Sequence, residues 1–200
     1  MERPGETTFE STTYVTQEEF FAFVEERAAK DRYPYHYELL NGRIVMNPPA
    51  GYPHGAVGGR ILALLVNFVR ERKLGTVFDS SQGFDLPSDD TVEPDVSFVS
   101  RERWEAAPPP VPGKFLRVVP DLVVEILSTS TASQDRGEKK GIYERNGVRE
   151  YWLVDWRKRE ITVLSLEGGR YDRGRVLVED ERCASRVIEG FDLAVSDLFS

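Results

Sequence analysis

Two hundred residues, 40% of them hydrophobic and 11% aromatic, are enough to bury one independently stable core without a structural metal or disulfide. The formal charge of −8 argues against a surface built throughout for phosphate contact, and the single cysteine, Cys183, cannot form an intrachain bridge, which makes the reducing cytoplasm the expected location. The polar start carries Glu2, Glu6 and Glu10 and does not resemble an export signal, while the longest apolar run, residues 61–69, is about half of what a membrane-spanning helix needs.

Residues 1–15 read as a polar tail and residues 16–200 as one domain. Thr16 and Glu19 have capping-box spacing and open an amphipathic helix that carries Phe20, Phe21, Phe23 and Val24 to about Lys30, packed on the outside of the core. Residues 37–40 and 43–46 flank Asn41-Gly42, whose tolerance of positive φ predicts a tight hairpin. Pro48-Pro49-Ala50-Gly51 breaks that structure; then Ile61, Leu64, Leu65, Phe68 and Val69 recur at helical spacing, in a helix expected to end near Gly75. Strands are expected over residues 76–78, 83–86, 95–99 and 121–127, with an exposed loop at Pro108-Pro109-Pro110. Thr131 and Gln134 suggest a second capping box, opening a helix of about three turns that Gly147 closes. Further strands follow over 151–155, 161–166 and 170–178. The order of elements gives a mixed α/β sheet flanked by helices, with no internal repeat and no linker between domains.

Alternation along residues 121–127 places Leu122, Val124 and Ile126 on one face and Asp121, Val123, Glu125 and Leu127 on the other. A carboxylate inside an otherwise apolar strand needs a cation, a metal or a proton. Asp95 repeats the situation, sharing a face with Ser97 and Val99. Each acid has an ordinary reading as one half of an ion pair with a nearby arginine. Two acids on neighbouring strands also make a site for Mg²⁺, which takes one or two carboxylates plus waters and substrate phosphate. On the following helix Asp135, Lys139 and Tyr143 fall at i, i+4 and i+8, on one side. Lys139 either pairs with Asp135 on the surface or joins Asp95 and Glu125 in one pocket. Charge is uneven: residues 1–100 carry a net −7 and residues 101–200 a net −1, with eight basic side chains against four acidic ones between Arg136 and Arg159. That patch is either a solvated surface or a phosphate-binding one.

Pro94-Asp95-Val96, Pro120-Asp121-Leu122-Val123-Val124-Glu125-Ile126-Leu127-Ser128, Asp135-Arg136-Gly137-Glu138-Lys139 through Tyr143, and Gly147-Val148-Arg149-Glu150-Tyr151-Trp152-Leu153-Val154-Asp155 together resemble the Uma-type family of putative restriction endonucleases, within the PD-(D/E)XK nuclease superfamily. The resemblance spans roughly residues 37–166, and Glu38 and His54 also fall at positions similar to the family pattern. It implies a restriction-endonuclease-like mixed sheet flanked by helices and Mg²⁺-assisted hydrolysis of a DNA phosphodiester. The superfamily pattern has lysine two residues after the strand glutamate, where this chain has Leu127. Lys139, on the next helix, is the replacement that the resemblance implies.

The leading expectation is therefore an endodeoxyribonuclease in which Asp95 and Glu125 hold Mg²⁺ or Mn²⁺, with Glu38 as a further ligand or an acid behind the ligands. Lys139 orients water or stabilises developing charge, positioned by Tyr143 and Asp135. His54, Arg136, Lys140 and Tyr143 are the candidate substrate contacts, duplex DNA the expected partner, and a homodimer the expected assembly. The alternative is a catalytically inactive nuclease-fold module that binds nucleic acid or protein; a third reading is an enzyme acting on another phosphate-bearing substrate. Dinucleotide loops, structural zinc and a nucleophile-elbow hydrolase find no support, since the chain lacks their motifs.

Overall fold

A computed structural model describes residues 9–30, 36–47, 49 and 51–200. Residues 1–8 of the polar tail, and Pro48 and Ala50 of the expected chain break, lie outside the described residues. Near the start, Phe9–Glu10 forms a short strand, β1. The capping box then closes as expected: the Thr16 N–H donates to Glu19 Oε2 (2.8 Å) and the Glu19 N–H to Thr16 Oγ1 (3.3 Å). The helix that follows, α1 (Gln17–Lys30), buries Phe20 in a small cluster with Leu39 and Ile44. Next, β2 (His36–Leu40) and β3 (Arg43–Asn47) make the expected hairpin, turning at Asn41 and Gly42 with φ of 51° and 74°, as a tight turn of this hand requires. A Cβ at Gly42 would stand 2.3 Å from the Tyr14 ring, but that ring is exposed and free to move, so the positive φ is what favours glycine there.

The second helix, α2 (His54–Arg72), starts a full turn and more before its apolar stripe becomes dense, and Lys73 caps it in the left-handed region. It is followed by β4 (Gly75–Asp79), the short β5 (Phe84–Asp85) and β6 (Thr91–Val92), β7 (Val96–Ser100), helix α3 (Arg101–Ala106) and β8 (Leu122–Ile126). A continuous helix over 132–145 comprises α4 (Ala132–Gln134), a π-helical turn (Asp135–Lys139) and α5 (Lys140–Arg145). Thr131 does not cap it, contrary to the expected capping box. Its backbone is already helical, and the Thr131 N–H and hydroxyl are engaged by the Ser128 hydroxyl at 3.1 and 3.0 Å.

The remaining strands are β9 (Glu150–Asp155), β10 (Glu160–Glu167), β11 (Arg170–Tyr171), β12 (Arg175–Val178), β13 (Arg182–Ala184) and β14 (Asp192–Ala194). The single strand expected over 170–178 is thus two. Asp172 Oδ1 accepts from the Gly174 N–H at 2.9 Å, and Gly174 takes a φ of 79°, turning the chain between β11 and β12.

The larger sheet runs β11-β10-β9-β8-β7-β4, with β12 also paired to β10, and only β8 and β9 are parallel. A second sheet, β1-β3-β2-β6-β5, lies beside it. The alternation read in β8 divides the core as expected. Leu122, Val124 and Ile126 pack with Val57, Ile61, Leu65 and Val69 of α2, whereas Val123 and Leu127 join Ile142 and Tyr143 on the opposite face. Each such side chain, fully buried, contributes about 1.5–3 kcal/mol. Two helices therefore clamp the central strands from either side, and the acidic residues sit where the helix over 132–145 and β2 converge on β8.

Candidate active site

The β7–β8 register pairs Val96 with Val124, Ser97 with Val123 and Phe98 with Leu122. One step further, Asp95 stands opposite Glu125, and opposed residues project to the same sheet face. Asp95 is fastened there by its Oδ2, which accepts from the Ile126 N–H (2.7 Å) and lies 3.2 Å from His54 Nε2 at the start of α2. Glu38 approaches from β2. Its Oε1 accepts from the Glu93 N–H and its Oε2 from the Asn47 side-chain amide, both at 2.9 Å.

Lys139 binds these elements together. Its Nζ lies 2.6 Å from Glu125 Oε1, 2.9 Å from Glu38 Oε1 and 4.0 Å from Asp135 Oδ1. The Tyr143 hydroxyl donates to Glu125 Oε1 at 2.6 Å. Lys139, Glu125, Glu38, Asp135 and Tyr143 are all buried. The stripe read at i, i+4 and i+8 is real, but it faces inward, and Lys139 is 3% exposed rather than a surface lysine. Sequence spacing gave the common side of the helix; only the packing reveals which way that side points.

Charge in this cluster is unbalanced. Burial raises Glu125 well above the ordinary carboxylate value, and Asp135, Asp95 and Glu38 reinforce that against the opposing Lys139. Burial likewise raises Asp135, to about 6, against Lys139 and a hydrogen bond from Thr131. Burial works against the Lys139 ammonium, yet Glu125, Glu38 and Asp135 more than offset it and hold the lysine protonated. One cation thus serves several carboxylates, and the remaining negative charge calls for a proton or a further cation.

The cluster lines a cleft of about 710 Å³, into which Glu38, His54, Asp95, Glu125, Asp135 and Lys139 all open. Of the other sequence-derived candidates, Tyr143 is fully buried behind Glu125. Arg136 pairs with Asp155 at 3.2 Å. Neither they nor Lys140 line the cleft. Sequence reasoning missed His36, whose Nδ1 lies 2.8 Å from Glu93 Oε2, and the hydroxyl-rich turn Ser128-Thr129-Ser130-Thr131, which also lines the cleft. The run of four hydroxyl residues directly after the strand glutamate was the available signal. Asp121, on the same strand face as Glu125, belongs to another group: it is buried and paired with Arg103 (3.0 Å) and Arg149.

A family model described as Uma2, putative restriction endonuclease, matches residues 18–196. The chain belongs to the Uma2 family. Among solved structures, a putative nuclease of DUF820 from Anabaena variabilis ATCC 29413 matches with a TM-score of 0.72 over 92% of this chain and 97% of that one. At 18% identity that likeness shows a shared fold. A search of curated proteins finds no match.

In this Uma2 chain Leu127, at the position where the superfamily pattern has lysine, is 1% exposed and packed among Val123, Tyr143 and Val148. Lys139 supplies the ammonium beside Glu125 instead. For a divalent ion the donor set is suitable though sparse. Asp95 Oδ1 and Glu125 Oε2 are hard oxygens without a hydrogen bond among the described residues, as is the buried Asn47 Oδ1 in the cleft wall. No group of three or more histidine, cysteine or acidic residues is set to hold a metal by itself among the described residues. Such a site fits Mg²⁺, which keeps waters and takes ligands from substrate phosphate, better than a closed zinc cage.

Proposed function

We propose that this Uma2-family protein is a divalent-metal-dependent endonuclease hydrolysing DNA phosphodiester bonds at the cleft, with Asp95 and Glu125 holding the ion. The observation that carries this reading is the placement of Lys139 Nζ 2.6 Å from Glu125 Oε1, which restores a lysine beside the strand glutamate from a different element. Lewis acidity toward phosphate and water is what Mg²⁺ or Mn²⁺ supplies when bound there. The protein's own groups do the rest. Lys139 presents positive charge where negative charge develops on the attacked phosphate. Tyr143 and Lys139 together hold Glu125 Oε1 and leave Oε2 for the ion. His54 and the Ile126 N–H fix Asp95, and Asp135 and Glu38 keep the lysine protonated.

Incubation of the purified protein with supercoiled plasmid and Mg²⁺ or Mn²⁺ tests the proposal. Nicked or linear product from the parent, and none from Asp95→Asn, is the expected result. A protein that retards DNA yet leaves it intact with either ion is instead a binding module of the nuclease fold. Two-fold dimers, which would suit cleavage of both strands, are read from sedimentation of the same sample.

A further inference from the structure

Beyond its acids, the cleft is lined by aromatic and hydroxyl side chains more than by basic ones. Tyr52, just ahead of α2, is 93% exposed and lines the cleft. Trp156, just after β9, also lines it; its ring is half-buried and carries the Arg157 guanidinium 4.8 Å above its centre. The Arg157 guanidinium donates to Thr129 Oγ1 in the hydroxyl-rich turn and pairs with no carboxylate among the described residues. Of the lysines and arginines that line the cleft, Lys139 is buried among its acids and Arg157 is the exposed cation, in a cleft that five carboxylates also line.

Continuous duplex presents a phosphate charge about every 1.7 Å of its axis and hides its base faces in the stack. One exposed arginine is poor provision for the first, and the exposed Tyr52 ring and the half-buried Trp156 ring are useless against the second. An unpaired nucleotide meets the opposite conditions: its base offers a π-face to an aromatic side chain, and its flanking phosphate needs only local charge and hydroxyl donors.

Resting on the nuclease reading above, we infer that the cleft takes an unpaired nucleotide, its base stacked on Tyr52 or Trp156 and its phosphate held by Arg157 and the Ser128-Thr129-Ser130-Thr131 turn. The substrate class is thus single-stranded nucleic acid or a single-stranded segment of a duplex, rather than uninterrupted double helix.

Fluorescence anisotropy with labelled oligothymidine, a base-free sugar-phosphate chain of equal length, and a blunt duplex, all in Ca²⁺, isolates binding. Cleavage of single-stranded, forked and blunt substrates is then followed in Mn²⁺. Oligothymidine is expected to bind the parent roughly 5- to 100-fold tighter than the base-free chain. Tyr52→Ala and Trp156→Leu should each erode that difference, while Tyr14→Ala, an exposed tyrosine that does not line the cleft, leaves it intact. Tyr52 is too exposed for its loss to unfold the protein, so a null result from that variant is informative. Equal affinity for oligothymidine and the base-free chain, or preference for the blunt duplex unaffected by Tyr52→Ala, overturns the inference even if plasmid is cut. Base-dependent binding through Tyr52 without cleavage of any substrate upholds it and overturns the nuclease reading alone.

Discussion

Lys139 Nζ and Glu125 Oε1 are 2.6 Å apart, and both side chains are buried. The contact joins a central strand to the helix that follows it. Removing one partner of a buried pair costs about 3–5 kcal/mol, because the other charge is left uncompensated. Lys139→Ala should therefore destabilise the protein by an amount of that order, where a surface lysine would cost almost nothing. Plasmid cleavage should fall by roughly 10² or more. Added Mn²⁺ should recover part of the lost stability in urea unfolding, since a cation relieves the same surplus charge. Adding Leu127→Lys to that variant returns an ammonium to the same strand face and should restore some cleavage. Unchanged stability, or full cleavage by Lys139→Ala, contradicts the role assigned to this contact.

Metal affinity should depend on pH with a definite sign. Burial, with Asp135, Asp95 and Glu38 adding to it, raises Glu125, and Asp135 stands near 6. Protons therefore compete with the ion at mildly acidic pH, and Mn²⁺ affinity should weaken as pH falls through the raised carboxylate range. Calorimetry in buffers of different ionisation enthalpy should show proton release on binding below neutral pH. Asp95→Asn should abolish the heat. Binding that strengthens on acidification is incompatible with carboxylate ligation by these groups.

Asp121 provides the contrast. It shares a strand face with Glu125 but accepts from the Ser100 N–H at 2.6 Å and is neutralised by Arg103 and Arg149. Asp121→Ala should cost about 3–5 kcal/mol of stability by leaving two arginines facing an empty site, while Mn²⁺ affinity of the folded variant stays at the parent value. A specific loss of metal binding with stability intact would move Asp121 into the active cluster.

These two acids also mark how far the sequence is legible. Alternation in β8 correctly gives both faces, because a period of two follows from strand geometry alone. It cannot tell that Asp121 meets arginines from α3 and the β9 approach while Glu125 meets a lysine, since those partners are set by tertiary packing. The Thr16–Glu19 cap and the Asn41-Gly42 turn are legible for the same reason as the alternation: their hydrogen bonds and dihedral angles are local. Thr131 fails as a cap because Ser128, outside the four-residue pattern, engages both its N–H and its hydroxyl. The gathering of Glu38, Asp95, Glu125 and Lys139 follows family resemblance more than spacing, whereas Tyr52 and Trp156 carry no pattern before the chain is folded and Arg157 shows only as one member of the basic segment. Arg136 and Lys140, chosen for local charge, lie off the cleft because the helix turns its acidic and aromatic stripe inward.

The two histidines give the last prediction, on stability. His36 is raised above its ordinary 6.5 chiefly by its hydrogen bond to Glu93, which outweighs burial. For His54 burial is the largest single influence and pulls downward, but the Asp95 hydrogen bond and charge, joined by Ile126 and Asp135, outweigh it, so this pKa is raised too. A folded-state pKa above the unfolded one means that the native protein binds more protons, so the stabilisation is complete below 6.5 and is lost as pH rises through the raised values. In chelator, the urea midpoint should therefore fall from pH 6.5 upward. Glu93, raised by burial, and the buried acids of the cluster slope the same way but begin lower, near the ordinary carboxylate range. Substitution separates the two sources: His36→Asn together with His54→Asn should reduce the slope of the upper part of the profile and leave that of the lower part in place. A parent midpoint that rises between 6.5 and alkaline pH, or a slope there that the double substitution does not touch, would show that neither histidine gains its charge from the carboxylate beside it.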